Sequence, residues 1–185
     1  MDILSIILFL TFILKDVSID KIDIPESIFN NSIIQQYQIF KRKEDIKDKY
    51  KHIPMDLDHI CYLIQVCSDY SIDPDIILAL IEVESKYDPN AKNKNSSAAG
   101  YGQLIASTAK SIAKEIDFIK SYNHKIDAYD PYINIHLMVH YFSKCIDNNN
   151  GNIYRALKSY RGCNDVPYFN KVMSIRKRIK ENKKL

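Results

Sequence analysis

Apolar residues recur at helical spacing along most of this chain, and the intervals between them carry the punctuation of helix ends. Leu57, Ile60, Cys61, Ile64 and Cys67 lie three and four residues apart, the stripe of a helix with one buried face. "SIDPD", residues 71–75, reads as a turn into the next helix. Asp73 can accept from the first unpaired amides, and Pro74 suits the first helical position. That helix is expected from about Asp75 to Lys86, followed by a polar loop, "DPNAKNKNSS", at 88–97. Another is expected from Gln103 or Ser107 to about Phe118. "AYDPYIN" (128–134) repeats the Asp-Pro start and opens a helix through Met138 and Phe142 to Ile146, which "DNNNGN" breaks. Shorter helices are expected near 152–160 and from Tyr168 onward. No convincing strand pair and no internal repeat is present.

The N-terminal region follows different rules. From Ile3 to Leu14 the run is apolar except for Ser5 and Thr11. It is shorter than the about 20 residues of a membrane-spanning helix and matches the core of a signal peptide. Asp2 opposes that reading, and no small-x-small cleavage site follows. A signal peptide, a retained signal anchor and a buried N-terminal helix all remain open. Residues 15–24 read as a linker. Pro25-Glu26 can open a helix whose apolar side is Ile28, Ile33, Ile34, Tyr37 and Phe40, and the mixed-charge run at 41–51 suits its solvated end. Pro54 closes the region. The expected organisation is a leader over 1–20, a helical extension over 21–54, a mainly α domain over 55–180 and a basic tail over 181–185.

Composition narrows the function classes. The 185 residues suffice for one domain with a substantial core. A net charge of +3 makes no demand for a nucleic-acid partner. Cys61, Cys67, Cys145 and Cys163 contain no C-x-x-C pair, so a zinc ribbon is not indicated. They read as buried thiols, with one long-range disulfide as the alternative in an oxidising compartment. His136 and His140 are four apart on a helix, a metal-ligand spacing, but no glutamate follows His136. They read as helix histidines, and no metal or cofactor is expected. The segment from 171 to the end carries seven Lys/Arg and one Glu. It suits a solvated helix end, or attraction to an anionic surface such as membrane headgroups or glycan-linked peptide carboxylates.

One position breaks the pattern. On a helical wheel at about 100° per residue, Ile76, Ile77, Leu80 and Val83 form one face of the helix over 75–86. Glu84 falls near the middle of that face. Glu82 falls on the opposite side with Asp75 and Lys86, as an ordinary solvated acid. A carboxyl partly removed from water is held towards its protonated form, the state a general acid requires near neutral pH. The plain alternative is a carboxylate that escapes to solvent or pairs with a lysine. Downstream, two of the chain's four glycines, Gly100 and Gly102, flank Tyr101 and precede Gln103. Glycine permits positive φ or close approach of backbone to a ligand, and Gln103 offers a donor and an acceptor suited to sugar groups.

These residues resemble the soluble lytic transglycosylase domain of the lysozyme superfamily. The resemblance runs over about residues 56–175. It is carried by Glu84-Ser85, Tyr87, Pro89-Asn90-Ala91, Gly100-Tyr101-Gly102-Gln103 and Ser107-Thr108-Ala109. Upstream, Tyr70, Ile72-Asp73-Pro74 and Ala79-Leu80-Ile81 match, and downstream "YDPYINI" and "ALKSYRG" do, the latter setting Tyr160 at the family's active-site tyrosine. Three departures stand out. Tyr101-Gly102 replaces the family's Leu-Met, which suggests a divergent branch such as those of phages or secretion systems. Arg161 replaces an asparagine. No serine aligns cleanly with the family's loop serine, Ser96 and Ser97 being only nearby.

The resemblance implies a goose-type-lysozyme-like helical fold and cleavage of peptidoglycan between N-acetylmuramic acid and N-acetylglucosamine, leaving a 1,6-anhydro end. Glu84 would act as the single general acid and base. Tyr160 would hold Glu84 or a sugar group by its hydroxyl. Gly100, Tyr101 and Gln103 would line the groove, with Ser85 beside them, more in a structural role. The implied setting is the periplasm or cell envelope, with a monomeric enzyme exported or anchored through residues 1–14. Secretion-system or virion components are the implied protein partners. A hydrolytic lysozyme on the same scaffold, or a non-catalytic glycan-binding module, are the other readings. Asp88, the nearest further acid, reads better as part of a turn.

Overall fold

The computed structural model describes residues 32–117, 119, 127–162 and 166–182, with side chains from residue 38 onward. The expected leader, the helix start at Pro25, and Cys163 lie outside the described residues. Two compact units divide at residues 49 and 50. The first contributes most of α1, Ser32–Tyr50. The second holds α2, Leu57–Asp69, α3, Pro74–Ser85, and α4, Ala106–Ala113. It continues with α5, Pro131–Asp147, α6, Ile153–Arg161, and α7, Val166–Lys180. Among the described residues there are no strands, only isolated bridges joining Lys92, Ala99 and Leu104 in the loop before α4. No helix among them is long and apolar enough to cross a membrane.

Local capping sets most helix starts. The Asp56 carboxylate accepts from the amide of Asp58 at 2.8 Å. Asp73 accepts from Asp75 at 3.0 Å, with Pro74 in the first turn. Asp130 repeats the arrangement, accepting from Tyr132 and Ile133 at 2.9 Å ahead of Pro131. Each satisfies amides that a helix leaves unpaired. α4 is capped from a distance. Ile105 has no capping side chain, and Ser97 Oγ accepts from the Ala106 amide at 3.1 Å instead.

α3 is the central helix: Ile77, Leu78, Ala79, Leu80 and Ile81 are all fully buried. A helix apolar on every side belongs in a core, and α3 packs most extensively against α7. α5 packs on α6, α2 and α4. Burial this complete corrects the two-faced wheel. Asp75 is buried, and its carboxylate accepts from the Tyr50 hydroxyl at 2.7 Å. That hydroxyl's pKa is raised by burial first, then by the hydrogen bond to Asp75.

The basic C-terminal segment is likewise no simple solvated end. Val172, Ile175 and Ile179 are buried on α7. Arg176 donates through Nε and Nη2 to Asp73 Oδ2 at 2.8 and 2.6 Å. Arg178 reaches Glu82. Two cations of α7 therefore pair with acids of the central helix and its N-cap, Glu82 and Asp73. Of the cysteines, Cys67 and Cys145 are buried thiols, pushed up by burial to about 12 and about 11.

Candidate active site

α3 ends abruptly. Lys86 and Tyr87 both lie in the left-handed region, at φ 53° and 66°. Non-glycine residues there cost of the order of 1–3 kcal/mol each and persist only where packing holds them. The Tyr87 ring is buried, and its hydroxyl donates to Glu82 Oε2 at 3.0 Å. Ser85 is buried too, with its Oγ turned back onto Ile81 O at 3.0 Å. Its hydroxyl serves the helix backbone.

The two glutamates of the last turns have different partners on α7. Glu82 is not the solvated acid expected from the wheel. Arg178 Nη2 lies 2.6 Å from both of its oxygens, and the pair is largely shielded from solvent. Glu82→Ala is expected to cost about 1–3 kcal/mol, because it strands a partly buried guanidinium. The midpoint of urea denaturation would report this, and an unmoved midpoint would mean that the pair contributes nothing.

Glu84 is half-buried and accepts a hydrogen bond from the Tyr168 hydroxyl at 2.5 Å, short as such bonds to carboxylates are. Burial raises its pKa above the usual carboxylate value. The Tyr168 hydrogen bond, then the charges of Arg161 and Lys171, pull it partly back. Tyr168 is itself buried, and the Arg161 guanidinium lies over its ring, 4.5 Å from the centroid. The hydroxyl that holds Glu84 thus belongs to Tyr168. Tyr160, expected to hold Glu84 or a sugar group, is buried and donates to Gly102 O at 2.8 Å.

The glycines answer to packing against α5. Gly100 has φ 70°, and a Cβ there would meet the Asn134 amide and sit 2.5 Å from Ala128 O. At Gly102 a Cβ would sit 2.8 Å from Met138 Cβ and 2.9 Å from the Tyr160 hydroxyl. Asn134, 1 % exposed, joins the loop to α5. Its Oδ1 accepts from the Gly102 amide at 2.8 Å, and its Nδ2 donates to Ala99 O and Ala128 O at 3.1 and 2.8 Å. Gln103, at φ 46°, spends its amide donor on Ala91 O and Gly100 O, both at 3.0 Å. The Tyr101 ring is 1 % exposed and its hydroxyl meets His59 Nδ1 at 3.0 Å, so this ring packs inward. Burial pushes that hydroxyl up to about 12.

The sequence model of the transglycosylase SLT domain matches residues 62–166, more than half of the chain. The chain belongs to this family. Among solved structures it is similar to an inactive mutant of the lytic transglycosylase Slt from Pseudomonas aeruginosa. That match has 19 % identity and a TM-score of 0.53, over 81 % of this chain and 25 % of the other. It is also similar to the 70-kDa soluble lytic transglycosylase in complex with bulgecin A. There the identity is 18 % and the TM-score 0.52, over 85 % of this chain and 28 % of the other. The chain thus spans about a quarter of the length of these neighbours and shares their fold.

Within this SLT domain the expected pieces gather unevenly. Glu84, Tyr160, Tyr168 and Arg161 act on one another through charge or hydrogen bonds. Gly100, Tyr101 and Gln103 belong to the loop that Asn134 ties to α5. Sequence reasoning missed Tyr168 and Asn134. Asn134 carried a usable signal, being a polar residue set in the apolar stripe of Ile135, Met138 and Phe142. Tyr168 carried none, because its partner lies 84 positions away.

His136 and His140 form a ladder with tyrosines. Tyr62 and Tyr70 hydroxyls meet His136 at 3.1 and 3.4 Å, and Tyr70 meets His140 at 3.0 Å. Glu115 joins His140 at 3.1 Å and Lys144 at 2.7 Å. No group of three or more metal-ligating side chains occurs among the described residues.

Proposed function

We propose that the domain is a peptidoglycan lytic transglycosylase with Glu84 as its single proton donor and acceptor. The observation that carries this reading is the half-buried Glu84 carboxyl, its pKa raised by burial, held by Tyr168 at the end of α3 in a chain of the SLT family. Protonated Glu84 gives its proton to the glycosidic oxygen as the bond from N-acetylmuramic acid breaks. The sugar's own 2-acetamido oxygen stabilises the cationic carbon. The Glu84 carboxylate then takes the proton of the 6-hydroxyl, whose oxygen closes onto that carbon and forms the 1,6-anhydro ring. Glu84 ends as it began and no water is consumed.

A group with this task must stand near its pKa at the working pH and be held in one place. Burial raises the Glu84 pKa in the direction of the first condition, and the Tyr168 hydroxyl supplies the second. Asp88, the nearest further acid in sequence, has its Oδ1 engaged by the Asn90 amide at 2.9 Å, a turn-forming role. A substrate in the cell wall requires export, for which residues 1–14 are the candidate segment.

Digestion of purified peptidoglycan followed by mass analysis tests the proposal. Muramic ends lighter by one water than reducing ends are expected. Reducing ends would make the protein a hydrolase, and intact glycan with measurable binding would make it a binding module.

A further inference from the structure

Arg161 occupies the last turn of α6, where an asparagine is the residue that the family resemblance leads one to expect. Its guanidinium lies 4.5 Å from the Tyr168 ring centroid, a stacked cation–π arrangement that a planar, permanently charged group makes well and asparagine cannot make. The ring it covers carries the hydroxyl that stands 2.5 Å from Glu84 Oε1. The three side chains form a relay from α6 through α7 to α3. We propose that Arg161 is a positioning residue for Glu84: it fixes the Tyr168 ring so that its hydroxyl stays on the acid, and its charge favours the carboxylate that Glu84 becomes after proton transfer. The inference rests on the reading of Glu84 as the proton donor.

The polar groups that act on Glu84 come from the two helices beside α3. α7 supplies Tyr168 and Lys171, and α6 supplies Arg161 and Tyr160. Tyr160 is no competitor for the acid. Its hydroxyl is committed to Gly102 O, and burial holds its pKa well above its ordinary value. Lys171 adds positive charge, whereas Arg161 adds both charge and the ring contact. Burial works against forming a carboxylate at Glu84, and Tyr168 and Arg161 are the first two influences that oppose it. An acid that must also become a base in the second half of the reaction needs that opposition.

The test compares Arg161→Ala and Arg161→Lys in the full chain. One readout is the titration of the Glu84 carboxyl carbon by NMR, assigned by its loss in Glu84→Gln. The other is the pH profile of glycan cleavage. In Arg161→Ala the Glu84 midpoint and the basic limb of the profile should move to higher pH, with kcat falling about 2- to 5-fold and KM held. Arg161→Lys should keep the midpoint near that of the parent, because the charge is retained, with kcat between the two. A midpoint unmoved in Arg161→Ala overturns the proposal. So does a rise in KM alone, which would make Arg161 a glycan contact. A shifted midpoint in a protein that does not cleave glycan would support the relay while sinking the transglycosylase reading, so the two can fail separately.

Discussion

Glu84→Gln is expected to abolish glycan cleavage by a protein that remains folded. Positioned proton transfer contributes a factor of about 10²–10⁴ to rate, and here one carboxyl would both give and take the proton. The amide has the carboxyl's shape, and its oxygen can still accept from the Tyr168 hydroxyl. What it lacks is an acidic proton. Stability should respond in the opposite sense to activity. The folded-state pKa of Glu84 is raised by burial, so between the unfolded and folded pKa values the folded protein binds more protons. Stability therefore falls as pH rises through that window, and it is fully present below it. A permanently neutral side chain removes the penalty, so Glu84→Gln should melt at the same or a higher temperature than the parent near neutral pH. Turnover on purified peptidoglycan and a thermal melt check both parts. Retained turnover would remove Glu84 from the chemistry. Lost turnover with a much lower melting temperature would make it a structural carboxyl.

Asn134→Leu is expected to be the most damaging single change to the fold around the site. The replacement is close in size, yet it removes an acceptor from the Gly102 amide and a donor from both Ala99 O and Ala128 O. Leaving buried polar groups without partners costs about 1–3 kcal/mol each, so the total reaches several kcal/mol, a large share of the stability of an ordinary domain. Asn134→Asp separates the components. It keeps an acceptor for the Gly102 amide but turns a carboxylate towards two carbonyl oxygens. Its buried carboxyl should be held protonated, so its stability deficit should shrink as pH falls and grow as pH rises. Urea denaturation across a pH series reads both variants. A deficit that does not change with pH would mean that the carboxyl at this position turns away to solvent.

The features readable along the chain were those with local causes. The Asp73-Pro74 and Asp130-Pro131 starts were legible because a cap and its amides lie within three residues of each other. Helix boundaries came within a few residues for the same reason. Glu84 stood out because a carboxyl in an apolar period is an anomaly visible on one helix. The rest depended on residues far apart in sequence. α3 proved buried on every side, which no two-faced wheel can express, so Glu82 and Asp75 acquired partners where solvent was expected. Gly100 and Gly102 suggested positive φ or close approach of backbone to a ligand; Gly100 has φ 70°, and what presses on both is α5, more than thirty positions downstream. Only Tyr160 was named from the sequence as a partner for Glu84, and finding Tyr168 there requires knowing how α6 and α7 lie against α3.

By itself, then, the sequence of this protein determined most of the described helices, the Asp73 and Asp130 starts and the acid that breaks the pattern, because each follows from neighbours along the chain. Tertiary structure alone decided that Tyr168 holds that acid, that Arg161 backs Tyr168, and that Tyr160 serves the glycine loop. Those pairings are settled by packing between helices, and the energy that selects them resides in contacts the linear order does not contain.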